Sequence, residues 1–98
     1  MTIVWTPLAK ISYYENLEYL EKSWTPKTIL KFIESVEKTM LQVQENPTLF
    51  PKWSLNGNYQ KGHINKHISF FYSIIIKNIV VHLFWNNLQN PKSLKKLL

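Results

Sequence analysis

Two early segments of the chain carry apolar residues at helical spacing, which places those residues on one helix face each. The first stripe consists of Tyr13, Leu17, Leu20 and Trp24. The second consists of Ile29, Ile33, Val36, Met40 and Val43. The pattern predicts one helix over about residues 7–22 and a second that ends near Glu45.

The same tripeptide, Trp-Thr-Pro, stands at the start of both segments, at residues 5–7 and 24–26. A threonine hydroxyl can accept a hydrogen bond from a first-turn amide, and proline suits the first helical position because its missing N–H costs nothing there. Asn46-Pro47 is a typical stop for the second helix. The short connection between the helices predicts an antiparallel hairpin.

The second half of the chain is patterned for strands. Residues 68–76 and 79–85 are rich in Ile, Val, Phe and Tyr, and Lys77-Asn78 between them is a plausible two-residue turn. Residues 59–64 and 3–5 predict two further strands, with a loop from the second helix to about Asn58. The predicted order is one strand, two helices and three strands.

Pairing Ile76 with Ile79 across that turn sorts the hairpin into two faces. The apolar face, expected to meet the helices, holds Phe70, Tyr72, Ile74, Val81, Leu83 and Trp85. The other face mixes polar and apolar residues: Ser69, Phe71, Ser73, Ile75, Val80, His82, Phe84 and Asn86. We take this mixed face as the candidate working surface.

Length and composition limit the class of protein. Ninety-eight residues fit a single small domain, 1–98, and no apolar run approaches the roughly 20 residues that span a bilayer. The start of the chain lacks a secretory signal pattern, so we expect a cytoplasmic protein without a membrane partner. The absence of cysteine excludes disulfides and thiol chemistry.

Charge is divided unevenly along the chain. Residues 1–45 hold five Lys and six Glu, whereas residues 46–98 hold seven Lys and no acid. Such asymmetry favours an anionic partner, either a nucleic acid or an acidic protein segment. All twelve cations are lysines, and the chain contains no arginine.

A series of short motifs resembles the RelE/ParE toxin family over nearly the whole chain. The motifs are Val4-Trp5-Thr6-Pro7-Leu8-Ala9, Asn46-Pro47, Tyr59-Gln60-Lys61-Gly62, Ile64-Asn65-Lys66, Ser69-Phe70-Phe71-Tyr72 and Phe84-Trp85-Asn86-Asn87-Leu88-Gln89-Asn90-Pro91. The resemblance implies an α+β fold, in which an antiparallel sheet of three to four strands packs on the N-terminal two-helix hairpin. It implies no cofactor.

The resemblance also implies a function. Such a chain is the toxin of a bacterial type II toxin–antitoxin, or plasmid stabilisation, module, and a cognate antitoxin neutralises it. RelE-like members cut messenger RNA in the ribosome, whereas ParE-like members inhibit DNA gyrase. The alternatives from another class are a non-catalytic protein-binding module and an inactive toxin homologue.

The missing arginines separate these targets. RNA cleavage by a 2′-OH needs a base, an acid and cations for the phosphorane, and the nuclease branch often uses arginines. Where relatives usually carry arginine, this chain has Gln60 and Leu88. Lysine lacks the planar, bidentate guanidinium. The pattern therefore favours gyrase inhibition slightly, and leaves messenger RNA cleavage open.

For a catalytic site we consider His82, Lys61 and Gln60. His82 has the side chain best suited to proton transfer near neutral pH, and Ser73 lies opposite it in the predicted register. The competing interpretation is a half-buried structural histidine. His63 and His67 would stand roughly 13 Å apart on a strand, so we predict no metal site.

Binding to the target or to a nucleic acid is assigned to the lysines of the basic half: Lys52, Lys61, Lys66, Lys92, Lys95 and Lys96. The three near the end of the chain belong either to such a contact or to a solvated tail or final helical turn. Tyr59, Tyr72 and Trp85 can stack on bases, but their alternation with Ile and Val is more typical of packing.

Overall fold

A computed structural model describes all residues, 1–98. The elements along the chain are β1 (Thr2–Trp5), α1 (Pro7–Ser23), α2 (Pro26–Glu45), β2 (Lys52–Trp53), β3 (Asn56–His63), β4 (Ile68–Ile75), β5 (Asn78–Asn86) and α3 (Pro91–Leu97). The α+β fold, with its helical hairpin against a sheet, is the one predicted. No helix combines the length and apolar character needed to cross a membrane.

Both helices of the hairpin begin as predicted. The Thr6 hydroxyl accepts from the Ala9 amide at 3.0 Å, and the Thr25 hydroxyl accepts from the Thr28 amide at 3.3 Å. Proline follows each cap, where its fixed φ fits the first helical turn. The repeated tripeptide is therefore a local start signal for two separate helices.

The sheet has five strands in the order β1-β5-β4-β3-β2. All neighbours are antiparallel except β1, which runs parallel to β5. Three to four strands were predicted; the fifth, β2, is only two residues long and interrupts the predicted loop before Asn58. So short a segment carries no alternation from which it can be recognised.

The predicted register of the β4–β5 hairpin is wrong. Ile75 pairs with Asn78, so the turn is Ile76-Lys77 and not Lys77-Asn78. Between Phe71 and Tyr72 the register shifts by one residue. A bulge adds an unpaired residue to one strand and reverses the facing of every residue beyond it.

Because of the bulge at His82, the predicted faces of β5 are wrong from Leu83 onwards. Val81 faces the helices as expected, but Phe84 does so as well, in the core cluster with Phe70 and Tyr72. Leu83 and Trp85, predicted to face the helices, lie on the opposite side of the sheet. Asn86, assigned to that opposite side, pairs instead with Ile68 of the helix-side core.

The sheet thus separates two apolar clusters. The helix-side cluster contains Ala9, Leu20, Phe32, Val36, Met40, Val43, Ile68, Phe70, Tyr72, Ile79, Val81 and Phe84. The smaller cluster on the other side contains Trp53, Phe71, Leu83, Trp85 and Leu94. Since Leu94 belongs to α3, the C-terminal helix packs over part of the face that we predicted to be the working surface.

Helix α1 covers the edge of β5 where β1 ends. The Thr6 hydroxyl donates to the His82 carbonyl, the Phe84 amide donates to the Ser12 hydroxyl at 3.0 Å, and the Asn16 amide donates to the Phe84 carbonyl at 3.3 Å. Ser12 and Asn16 are buried. These side chains supply hydrogen-bond partners to the edge of β5 beyond β1, where an unpaired strand edge would otherwise leave buried backbone groups unsatisfied.

Removing the Ser12 hydroxyl tests this edge. We expect Ser12→Ala to lower the free energy of unfolding by about 1–3 kcal/mol, because the buried Phe84 amide loses its acceptor. Ser35→Ala is the matched control, since the exposed Ser35 hydroxyl bonds only to the Lys31 carbonyl of its own helix. Urea unfolding measures both; equal losses in the two variants would contradict the role given to Ser12.

The β4–β5 turn carries backbone strain. Ile76 has φ of 55°, a left-handed conformation that β-branched residues avoid, and its side chain is 88% exposed. We expect Ile76→Gly to raise the free energy of unfolding by about 1 kcal/mol, because glycine adopts this φ without a clash. Lys77→Gly, at a position without positive φ, should leave stability unchanged or lower it. Thermal unfolding distinguishes the two results.

Candidate functional site

The β5 bulge turns His82 towards β4. Its Nε2 lies 3.0 Å from the Ser73 Oγ, and the Ser73 hydroxyl also lies 3.0 Å from the Asn58 carbonyl. A carbonyl only accepts, so the single Ser73 proton goes to Asn58 and His82 must donate through Nε2. Ser73 is paired with Val80 and not with His82, yet the predicted neighbourhood of the two side chains is present.

Burial decides the charge state of His82. The ring is half-buried, with Tyr59 edge-on at 5.0 Å between centroids. Burial lowers the pKa of His82 below the ordinary 6.5, because the charged imidazolium is desolvated. The ring is therefore neutral at pH 7, and its protonated Nε2 donates a hydrogen bond to the Ser73 oxygen. Only Nδ1 remains to accept a proton from a ligand.

Gln60 lies on the helix side of the sheet and does not join His82. It pairs with the buried Tyr72, and its amide donates to the carbonyls of Pro47 at 3.1 Å and Phe50 at 2.8 Å. The Tyr72 hydroxyl donates to the same Pro47 carbonyl at 2.8 Å. Burial raises the pKa of Tyr72, which keeps this donor protonated. Gln60 thus holds residues 47–50, which lead into β2, against the sheet by hydrogen bonds.

Lys61 faces the other side of the sheet, where it pairs with Phe71, and Lys52 lies on the edge strand β2, where it pairs with Gln60. Both line an open cleft of about 490 Å³ at the β2–β3 hairpin, which we call the β2–β3 cleft; its walls include Phe50, Lys52, Trp53, Leu55, Lys61 and His63. Gly62 permits the close packing beneath, since a Cβ there would stand 2.5 Å from the Phe70 ring and 2.7 Å from the Phe50 ring.

His63, which the sequence analysis considered only as a metal ligand, has a serine partner like that of His82. Its Nδ1 lies 3.1 Å from the Ser69 Oγ, and the Ser69 hydroxyl donates to the Asn87 Oδ1 at 3.1 Å. His63 and His82 therefore share one pattern, in which a serine orients the ring. The available signal was β3–β4 pairing, which sets His63 directly opposite Ser69, but the sequence alone does not fix that register.

The remaining predicted lysines lie on the exposed surface. Lys92, Lys95 and Lys96 are exposed on α3, and Lys66 is exposed in the β3–β4 connection. Tyr72 and Trp85 are packed in the two clusters, whereas Tyr59 is half-buried against His82. No buried side-chain polar atom lacks a hydrogen-bond partner.

A second concavity lies between α1, the end of β5 and α3. This α1–α3 groove measures about 410 Å³ and is lined by Leu8, Tyr19, Leu83, Trp85, Leu88 and Leu97, among others. Leu88 is 75% exposed and Leu97 is 45% exposed. Leucines that protrude beside an apolar groove are typical of a surface that another protein covers.

Comparison with solved structures identifies the architecture. A structure of the chromosomal ParDE system of P. aeruginosa superposes with a TM-score of 0.75 at 14% identity, covering 88% of this chain and 95% of that one. The YoeB/ParE toxin from Agrobacterium tumefaciens gives 0.63 at 14% identity, with coverages of 89% and 99%. The chain has the ParE/YoeB toxin fold.

The YoeB–YefM complex from Staphylococcus aureus matches this ParE/YoeB fold with a TM-score of 0.57 at 17% identity, over 86% of this chain and 93% of that one. A second structure from that organism, a heterotetrameric YoeB–YefM toxin–antitoxin complex, matches with a TM-score of 0.52 at 17% identity, over 83% of this chain and 90% of that one. No protein-family model and no curated protein matches the sequence. At identities of 14% to 17%, what these structures share with the chain is the fold.

Within the ParE/YoeB fold, the state of His82 can be measured directly. Because its folded pKa is depressed, the unfolded histidine takes up a proton first as pH falls below 6.5, so the stability from neutral His82 is lost at low pH. We expect the free energy of unfolding to fall less between about pH 7.5 and 5 in His82→Gln than in the unchanged chain. Imidazole NMR should show protonation at Nε2; a pKa above 6.5 would contradict this account.

Proposed function

We propose that the chain is the toxin of a toxin–antitoxin pair, acting in the cytoplasm and held inactive by a cognate antitoxin. The observation that carries the proposal is the superposition on the ParDE and YoeB structures over most of both chains. The distribution of charge supports it, since a basic half with seven Lys and no acid suits an acidic neutralising partner.

The antitoxin has a suitable surface in the α1–α3 groove. Exposed Tyr19, Leu88 and Leu97 surround an apolar floor formed by Leu83 and Trp85. Interface cores are typically apolar with a polar rim, and the exposed lysines of α3 supply charge beside this groove. We therefore expect an antitoxin segment that combines apolar anchors with acidic residues.

For the target of the free toxin we propose DNA gyrase, as for ParE. Three observations support this choice over messenger RNA cleavage. The chain contains no arginine, the Gln60 amide is engaged with loop carbonyls, and the Nε2 proton of His82 is held by Ser73. The superposition is also better on the ParDE structure than on YoeB.

Induced expression in a bacterial culture tests the proposal. We expect growth arrest, and inhibition of gyrase supercoiling by the purified chain. His82→Ala should retain both effects if its fold is intact by circular dichroism, because an inhibitor that only binds needs no proton transfer from His82. Primer extension on cellular messenger RNAs, run in parallel, should show no new cleavage sites.

The other outcomes separate the rival functions. Growth arrest with new messenger RNA cuts and normal supercoiling would overturn the gyrase target and assign the nuclease function. Loss of cutting in Lys61→Ala or in His82→Ala would then identify that residue as part of the nuclease site. Normal growth at good soluble yield would overturn the toxin itself, and would leave the protein-binding module or the inactive homologue.

A further inference from the structure

The α1–α3 groove carries a single kind of charge in its walls. Of the residues that line it, Glu15 is the only charged one, and it lies exposed on α1 one turn before the exposed Tyr19. The rest of the lining is apolar or uncharged. Although the chain as a whole has a net charge of +6, this groove therefore suits apolar side chains that are accompanied by a cation.

The surface around the groove displays those same groups. Leu88 and Leu97 are exposed and contribute to its lining. Lys92 and Lys96 are exposed on α3, two positions before and after the buried Leu94. Two positions correspond to about 200° around a helix, so both ammonium groups lie on the side of α3 that faces solvent. The chain thus presents, beside its groove, the leucines and cations that the groove is suited to accept.

The two helices that flank the groove differ in charge. Helix α1 holds three Glu and two Lys, whereas α3 holds three Lys and no acid. A two-fold axis that runs along the groove brings α1 of one copy against α3 of a second copy, and does so twice in the same dimer. An axis across the groove would instead set Glu15 against its own symmetry mate. Only the first arrangement pairs opposite charges, so charge selects how two copies meet.

We propose that a second copy of this chain occupies the α1–α3 groove in a symmetric dimer. Leu88 and Leu97 of each copy pack against the apolar floor of the other groove, and Glu15 pairs with the α3 lysines across the two-fold axis. The dimer covers the surface proposed above for the antitoxin, so self-association and antitoxin binding exclude each other. That exclusion rests on the proposed function, whereas the dimer itself requires no antitoxin, ribosome or gyrase.

Sedimentation velocity of the purified chain over a wide range of concentrations tests the dimer. We expect a monomer–dimer equilibrium that Lys96→Glu weakens by about tenfold, because the substitution replaces two symmetric attractions by repulsions. Lys96→Glu also lowers the net positive charge, so overall repulsion between copies decreases and does not account for the loss. Glu15→Lys should weaken the dimer as well, and the double reversal Glu15→Lys/Lys96→Glu should restore it.

Two substitutions on α2 are the matched controls. Lys31→Glu makes the same change of charge as Lys96→Glu, and Leu30→Ala removes an exposed leucine as Leu88→Ala does. We expect both α2 variants to dimerise like the unchanged chain, and Leu88→Ala to dimerise more weakly. With all variants folded by circular dichroism, a monomer at every concentration, equal weakening in Lys31→Glu and Lys96→Glu, or a double reversal without recovery would overturn the proposal. None of these outcomes depends on growth arrest, so the toxin function is tested separately.

Discussion

The packing of α1 along the edge of β5 is the contact on which the rest of the architecture depends. Beyond the end of β1, the backbone of β5 continues as an edge strand, and Thr6, Ser12 and Asn16 satisfy its carbonyls and amide with side-chain atoms. The same contact sets the helical hairpin across one face of the sheet and leaves the other face to α3. A few short polar side chains therefore hold α1 against β5.

The helices were predictable because capping and stripe spacing are local properties, and both starts, at Thr6 and Thr25, lie where those properties place them. The faces of β5 were not predictable, because one bulged residue inverts the alternation on which they were assigned. Near Val81 the alternation holds, and from Leu83 onwards it is reversed. The hydrophobic pattern contains no sign of the inversion, since Leu83, Phe84 and Trp85 are all apolar and each suits either face.

The candidate site shows a related limit. His82 stood out by its residue type, yet the structure holds it half-buried with its Nε2 proton committed to Ser73. His63 has the same kind of serine partner but lies exposed, in a cleft with two lysines. The difference between a structural and an available histidine arises from solvent access and hydrogen-bond direction, which depend on strand register and not on residue identity.

The parallel pairing of β1 with β5 also constrains how the chain acquires its shape during synthesis. Thr6 bonds to His82 across a separation of 76 positions, and all of β1 is aligned with residues 78–81. On a ribosome the first strand emerges long before its neighbour, and contacts this distant in sequence form slowly because a long loop must close. The hairpin of α1 and α2 can assemble early, but the five-stranded sheet forms only after β5 has been synthesised, because β5 lies between β1 and β4. A nascent chain therefore lacks both the sheet surface and its clefts until translation has passed the last strand.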